Sequence, residues 1–166
     1  MNIRLELIIQ GINAGIWDWD VKTGNEWWSP RFYELLGYSE NELPATFQNF
    51  LHKLVHPEDK QLVEYTIKDH FEKKKPYKLE IRLNTKRHGY KWFESSGQAE
   101  WEESGAPIRM AGSIISIQER KIIQTKLEYN EAMLQEAGKM AKLGTWEMDI
   151  ETKENYWSEV MKEMHG

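Results

Sequence analysis

The chain has 166 residues, a formal net charge of −5, 40% hydrophobic and 30% charged residues, eight Trp and no Cys. That balance describes a soluble surface over an aromatic-rich core rather than a disordered chain. It excludes disulfides, thiolate catalysis, Cys-based zinc sites and cysteinyl cofactor adducts. Mild acidity argues against a nucleic-acid partner, because a phosphate-binding face needs clustered Lys and Arg.

Residues 2–12 place Leu5, Ile8, Ile9 and Ile12 at i, i+3, i+4, i+7, which predicts a helix with one apolar face. After Gly15 the stretch IWDWDV alternates and predicts a strand. Lys22-Thr23-Gly24-Asn25 reads as a turn with Gly24 at positive φ, and 25–28 as the returning strand. Ser29-Pro30 has the pattern of a helix start, with Ser29 as cap and Pro30 at the first helical position; the helix should stop at Gly37. Ser39 with Glu42 resembles a capping box before Pro44, and FQNFLHKLV reads as a short helix. His56-Pro57-Glu58-Asp59 breaks it and opens a helix over about 58–74, with acidic residues favourable at its start. Lys73-Lys74-Lys75, the one basic run, reads as the solvated end of that helix before Pro76. Strands are predicted over about 77–85, 90–101 and 107–117, with turns at Arg87-His88-Gly89 and Glu103-Ser104-Gly105. From Gln118 to about Ala141 the pattern is helical again. No apolar run approaches the ~20 residues that span a bilayer, and no basic stretch followed by an apolar one marks a signal peptide at the N-terminus.

The chain also repeats itself. Residues 15–37 and 144–166 share Gly, Trp, Asp, Thr, Trp, Ser, Glu and Gly at a constant shift of 129, from Gly15/Gly144 to Gly37/Gly166. The expectation is one whole unit of about 130 residues followed by the opening of a second, cut from a tandem array. A hairpin and a three-stranded meander separated by short helices predict an α+β fold: one five-stranded antiparallel sheet with helices on one face. A ligand cavity is expected between sheet and helices.

Several motifs, in order, carry a family likeness: Gly15–Asp20, WSPRFYELLGY at 28–38, His56-Pro57-Glu58-Asp59, Pro76-Tyr77, YKWFESSG at 90–97 and RMAGSI at 109–114. Together they resemble a PAS sensory domain of the subtype built around a GIWDWD-type first strand. The resemblance covers about 15–120 and implies a flanking helix at 1–13, the PAS unit at 14–118, a linker helix at 119–142 and the truncated start of a second PAS repeat at 143–166. It implies a cytoplasmic sensor module, in a parent that can itself be membrane-anchored, feeding an output domain: foremost a histidine kinase, otherwise a diguanylate cyclase or phosphodiesterase. Such domains often end in Asp-x-Thr before Glu-Arg-Lys. Here Ser116 and Gln118 replace the Asp and Thr, while Glu119, Arg120 and Lys121 keep the rest. The four residues Ser116, Gln118, Glu119 and Arg120 are the expected relay into the exit helix.

No catalytic constellation stands out, and the fragment reads as a non-enzyme. Asp18, Asp20, Glu26 and Glu34 are accounted for as surface strand and helix positions, and Ser29 as a helix cap. His52 and His56 stand four apart, but Pro57 argues against a helix through both, so no metal is expected. His70 lies among Lys68, Asp69 and Glu72, which suggests solvent and disfavours haem. Cysteinyl flavin photochemistry is excluded; a redox flavin is left open, and no tightly bound cofactor is favoured. Candidate pocket walls are Trp19, Trp28, Phe32, Leu36, Tyr38, Phe50, Leu54, Leu79, Ile81, Phe93 and Met110. If the Trp92 face of its strand looks inward, Glu94, Ser96 and Gln98 are the candidate polar anchors for a small-molecule ligand. On the exit helix Ile123, Leu127, Asn130, Leu134, Ala137 and Ala141 follow a 4-3-4-3-4 spacing, the seam of a two-stranded coiled coil. That seam predicts a homodimer through the flanking helices. The competing reading is a constitutive dimerisation and spacer module without ligand.

Overall fold

The structure is a computed structural model and describes residues 3–148, with side chains described through Ala141. The chain divides into two units, residues 1–119 and 120–166.

In the first unit helix α1 (Ile3–Gly11) has no buried residue. Strand β1 (Ala14–Asp20) turns through Gly24, at φ 83°, into β2 (Glu26–Trp28). Helix α2 (Pro30–Leu36) begins as its sequence dictates. Ser29 accepts the Phe32 N–H at 3.3 Å and also the Ile16 N–H at 2.9 Å, so one hydroxyl caps the helix and ties it to β1. Ser29→Ala should therefore cost about 1–2 kcal/mol, since the helix loses its side-chain cap and the part-buried Ile16 N–H loses its acceptor, while the Phe32 N–H keeps the Ser29 carbonyl at 3.0 Å. The check is a lower urea midpoint at unchanged slope.

Glu42 accepts the Ser39 N–H at 2.9 Å, and the segment forms a short turn before Pro44. Helix α3 (Phe47–Asn49), capped by Thr46, runs into a π-helical turn at Phe50–Leu54. A 3-10 turn at Pro57–Asp59 leads into α4 (Lys60–Lys73). Asp59 is buried, and its carboxylate takes the Arg82 backbone N–H and two guanidinium nitrogens at 2.8–3.0 Å. Burial pushes that carboxyl up, but the Arg82 bonds outweigh it and hold it below the usual carboxylate range. Strands β3 (Tyr77–Thr85), β4 (Gly89–Trp101) and β5 (Pro107–Ser116) follow. The five strands form one antiparallel sheet in the order β2-β1-β5-β4-β3, which is the expected α+β architecture.

Register decides which side chains meet the helices. Trp28, Trp17, Gly112, Gly97 and Tyr77 lie opposite one another across all five strands, on one face. The neighbouring inward rows bring Glu26, Trp19, Met110 and Ala99 together on one side, and Ile114, Ser95 and Leu79 on the other. The two glycines leave room for a large ring: a Cβ on Gly97 would stand 2.5 Å from the Trp17 indole, and one on Gly112 would stand 2.6 Å from it. The indole lies across β5 and β4 and meets Tyr77 edge-on at 6.0 Å. Phe32, Leu36, Leu54, Val63, Ile81, Leu83, Phe93 and Ile114 complete the core at 1% exposure or less.

The junction after the last strand is held by Trp92 of β4. The Ile117 N–H donates to the Trp92 carbonyl at 3.0 Å, and the Trp92 N–H donates to the Gln118 side-chain oxygen at 2.7 Å. Helix α5 (Gln118–Met148) starts there. It continues through 144–148, where the repeat predicts the start of a strand. A helix satisfies its own backbone groups, whereas a strand needs a partner strand to do so. The remainder of the expected second repeat, 149–166, lies outside the described residues.

Candidate functional site

Between the sheet and α3, the π-helical turn and α4 lies a cavity of about 20 Å³, lined by Trp17, Trp19, Glu26, Phe47, Phe50, Ile67, Tyr77, Ser95 and Met110. The walls are apolar and mostly aromatic. Phe47 stacks on Trp19 with ring centres 4.3 Å apart, and Phe71 packs on Trp19 at 5.6 Å. Free space of this size holds roughly one water, whereas ligand pockets usually measure ~300–1,000 Å³.

Polar atoms sit at the cavity's edge. The Tyr77 hydroxyl and Ser95 Oγ share a hydrogen bond at 3.3 Å, and burial pushes the Tyr77 phenol up to about 12. Glu26 accepts the Trp28 indole N–H at 3.0 Å. Burial raises the Glu26 carboxyl from 4.5 to about 7; the Trp28 bond opposes that rise and the nearby Asp18 charge adds to it. Glu26 also lines two open surface clefts, one with Asp18, Trp27 and Arg109 and one with Trp27, Tyr33 and Ala45. It therefore stands where the cavity meets the surface. The indole N–H groups of Trp17 and Trp19 are buried and have no acceptor.

Of the candidate walls, Trp19, Phe50 and Met110 line the cavity. Trp28, Phe32, Leu36, Leu54, Leu79 and Ile81 are core residues beyond it, and Tyr38 packs partly buried against that core. Glu94, Ser96 and Gln98 do not face it. The inward parity of β4 belongs to Phe93, Ser95 and Ala99, buried at 1%, 1% and 6%, so their neighbours point to the other face of the sheet. There Glu94 pairs with Lys78 at 3.9 Å, and Gln98 donates to the Ala99 carbonyl. The parity was ambiguous because Trp92 and Phe93 offer an aromatic to each face.

Two further expectations are corrected. Glu26 is not only a surface carboxylate: half-buried, it stands in the cavity wall as well as in two surface clefts. His70 is not solvated: it is 2% exposed, its Nε2 accepts the Ala99 N–H at 3.0 Å, and its Nδ1 meets the Lys75 carbonyl at 2.6 Å. A backbone N–H can only donate, so Nε2 is the acceptor and Nδ1 carries the proton. Both nitrogens are thus engaged by backbone, and His70 does not fit an axial haem ligand. The cavity as packed does not fit a flavin ring system either. His56 accepts the Glu58 N–H through Nδ1 at 3.0 Å. Among the described residues no cluster of metal-ligating side chains forms, and no helix is long and apolar enough to cross a membrane.

A single five-stranded antiparallel sheet covered on one face by short helices, with a small polar-edged cavity between the layers, defines an α+β domain of the one-sheet class. A family profile described as a PAS fold matches residues 25–114. The chain belongs to the PAS family. Over 126 residues it is 29% identical to the sensor protein FixL of Bradyrhizobium diazoefficiens, covering 76% of this chain and 25% of that protein. Over 136 residues it is 28% identical to the probable diguanylate cyclase DgcE of Escherichia coli, covering 80% of this chain and 11% of that protein. The chain thus spans a quarter or less of the curated relatives it matches. A sensory box histidine kinase/response regulator from Burkholderia thailandensis superposes with a TM-score of 0.71 at 34% identity, covering 80% of this chain and 98% of that one. A domain of the putative light and redox sensing histidine kinase from Haloarcula marismortui shares the fold, with a TM-score of 0.56 at 20% identity, covering 70% and 99%. This is a PAS domain related to sensors of the histidine kinase and diguanylate cyclase kinds.

Proposed function

We propose that this PAS domain is a sensory module. A small ligand, redox change or partner acts at the cavity, shifts the sheet, and passes the change through Ser116, Gln118, Glu119 and Arg120 into α5. The output domain lies elsewhere in the parent protein. A histidine kinase is favoured because the 34% likeness covers nearly all of a sensory box histidine kinase domain; a diguanylate cyclase is the alternative. The observation that carries this reading is the Trp92 peptide unit. One of its groups is bonded by Ile117 and the other by Gln118, so movement of β4 is felt at the first residue of α5. The module is proposed to act in the cytoplasm as a homodimer. Ile123, Leu127 and Leu134, exposed at 62%, 57% and 72%, would form the seam with Asn130 and Ala137.

A stimulus moves a two-state equilibrium only by binding the two states differently. Ligand added to the purified chain should therefore change amide exchange in α5 as well as around the cavity. Exchange in α5 that ignores every bound ligand sinks the sensing reading. The small free volume favours the second reading, a constitutive dimerisation and spacer module. Sedimentation of Asn130→Leu tests the seam: removing a buried polar register-setter should tighten the dimer. A monomer in both forms discards it.

A further inference from the structure

The cavity's chemistry is one-sided. Its lining contains no Lys, Arg or His, and its walls are aromatic or aliphatic apart from Glu26 and the Tyr77–Ser95 pair. Yet Trp17 and Trp19, both part of that lining, each hold a buried indole N–H without an acceptor. An indole N–H can only donate, and a buried donor left unmade carries its full desolvation cost. This inventory discriminates between ligand chemistries. An anion would lose its hydration with no cation to meet it, beside the Glu26 carboxyl. A hydrocarbon would leave both N–H groups unpaired. A neutral molecule bearing an acceptor oxygen or nitrogen answers both.

Shape narrows the choice further. The free volume of about 20 Å³ admits no ring unless a ring leaves. Trp17 lies close over Gly97 and Gly112, and Tyr77 is bonded to Ser95. Phe50 is 7% exposed. Phe47 alone among the lining aromatics is only partly buried, and it sits on a helix of three residues. It stacks almost parallel to Trp19, at 10°, in the plane a flat ligand would take.

We propose that the cavity is a site for a small neutral aromatic molecule carrying a carbonyl-type acceptor, which takes the place of the Phe47 ring on the face of Trp19 and accepts a hydrogen bond from the Trp17 indole. This rests on the reading that the cavity takes a ligand and adds the ligand's chemical class. Glu26, at the mouth, becomes the residue such a molecule passes.

The test uses the full chain and three probes of similar size: acetophenone, ethylbenzene and benzoate. The indole N–H resonances of Trp17 and Trp19, assigned through Trp17→Phe and Trp19→Phe, report occupancy. Acetophenone should bind about tenfold more tightly than ethylbenzene, the worth of one well-made hydrogen bond, and should shift both indole resonances. Benzoate should not bind at neutral pH. Phe47→Ala should strengthen binding of both neutral probes, and Phe47→Leu serves the same purpose if the alanine variant does not fold. Trp17→Phe, which keeps an aromatic wall without the donor, should lower the preference for acetophenone. Ethylbenzene binding as well as acetophenone overturns the proposed acceptor chemistry while leaving a ligand site intact. So does benzoate binding best. Failure of all three to perturb either indole, in wild type and in the Phe47 variants, overturns the site itself and leaves the two donors to bound water. Acetophenone binding with no change in α5 amide exchange upholds this inference and overturns the signalling reading instead.

Discussion

Gly112→Ala should destabilise the domain by about 3 kcal/mol or more, at the upper end of what overpacking costs. The added Cβ would stand 1.9 Å from the Ser96 carbonyl oxygen and 2.6 Å from the Gly97 Cα. Both are backbone atoms of β4, which is paired to β5 along its length, so neither can step aside without breaking the ladder. Against a typical total stability of ~5–15 kcal/mol, such a loss is a large fraction. A thermal midpoint lowered by about 10 °C, or failure to fold, is the expected readout. Gly97→Ala makes an instructive companion. Its closest contacts, at 2.5 and 2.7 Å, are with the Trp17 ring. Trimming that ring in Trp17→Leu should rescue part of the Gly97→Ala defect but little of the Gly112→Ala defect. Equal rescue of both would show that the close approach lies with the indole rather than with the strand.

Glu26→Gln should remove most of a pH dependence that the wild type carries through the mildly acidic range. The folded carboxyl stands at about 7 against an ordinary 4.5. Between those values the folded state holds a proton that the unfolded state has released, so stability falls as pH rises through this window. Below it both states are protonated and the group contributes nothing; above it the folded state bears the whole cost of a buried charge. That cost is roughly 3 kcal/mol from the displacement of the carboxyl. The glutamine variant can still accept the Trp28 N–H, and it should match wild type near pH 4 while exceeding it by up to that amount above about pH 8. Urea midpoints measured at both ends decide the matter. A wild type as stable as the variant above about pH 8 would mean that Glu26 is paired by a group that welcomes its charge.

Most of the architecture was legible because local chemistry and long-range pairing agree. Ser29-Pro30 and Gly37 bracket α2, and Pro76 and the Gly89 and Gly105 turns bracket the strands of the meander. The site was less legible, for identifiable reasons. In β4 the alternation of Trp92, Glu94, Ser96 and Gln98 against Phe93, Ser95, Gly97 and Ala99 does not announce its inward face, since each set opens with an aromatic. The deciding signal is the pair of glycines facing each other on β4 and β5, which only a large ring from β1 explains. Glu26 looked superficial because a carboxylate on a short strand usually is. Its surroundings include Trp28 of its own strand and, across the cavity, Phe47 and Ile67 from two separate helices. His70 was judged by sequence neighbours that sit on other faces of the same helix; its own face meets β4 through the Ala99 N–H.

The bonds that hold Trp92 to Ile117 and Gln118 carry no formal charge on either side. Where a carboxylate at this joint would stiffen or slacken with ionic strength and acidity, a neutral amide is indifferent to both. The joint between the last strand and the first residue of α5 is in that sense held without charge. In the proposed sensory module, a response to acidity enters at the Glu26 carboxyl rather than at this joint.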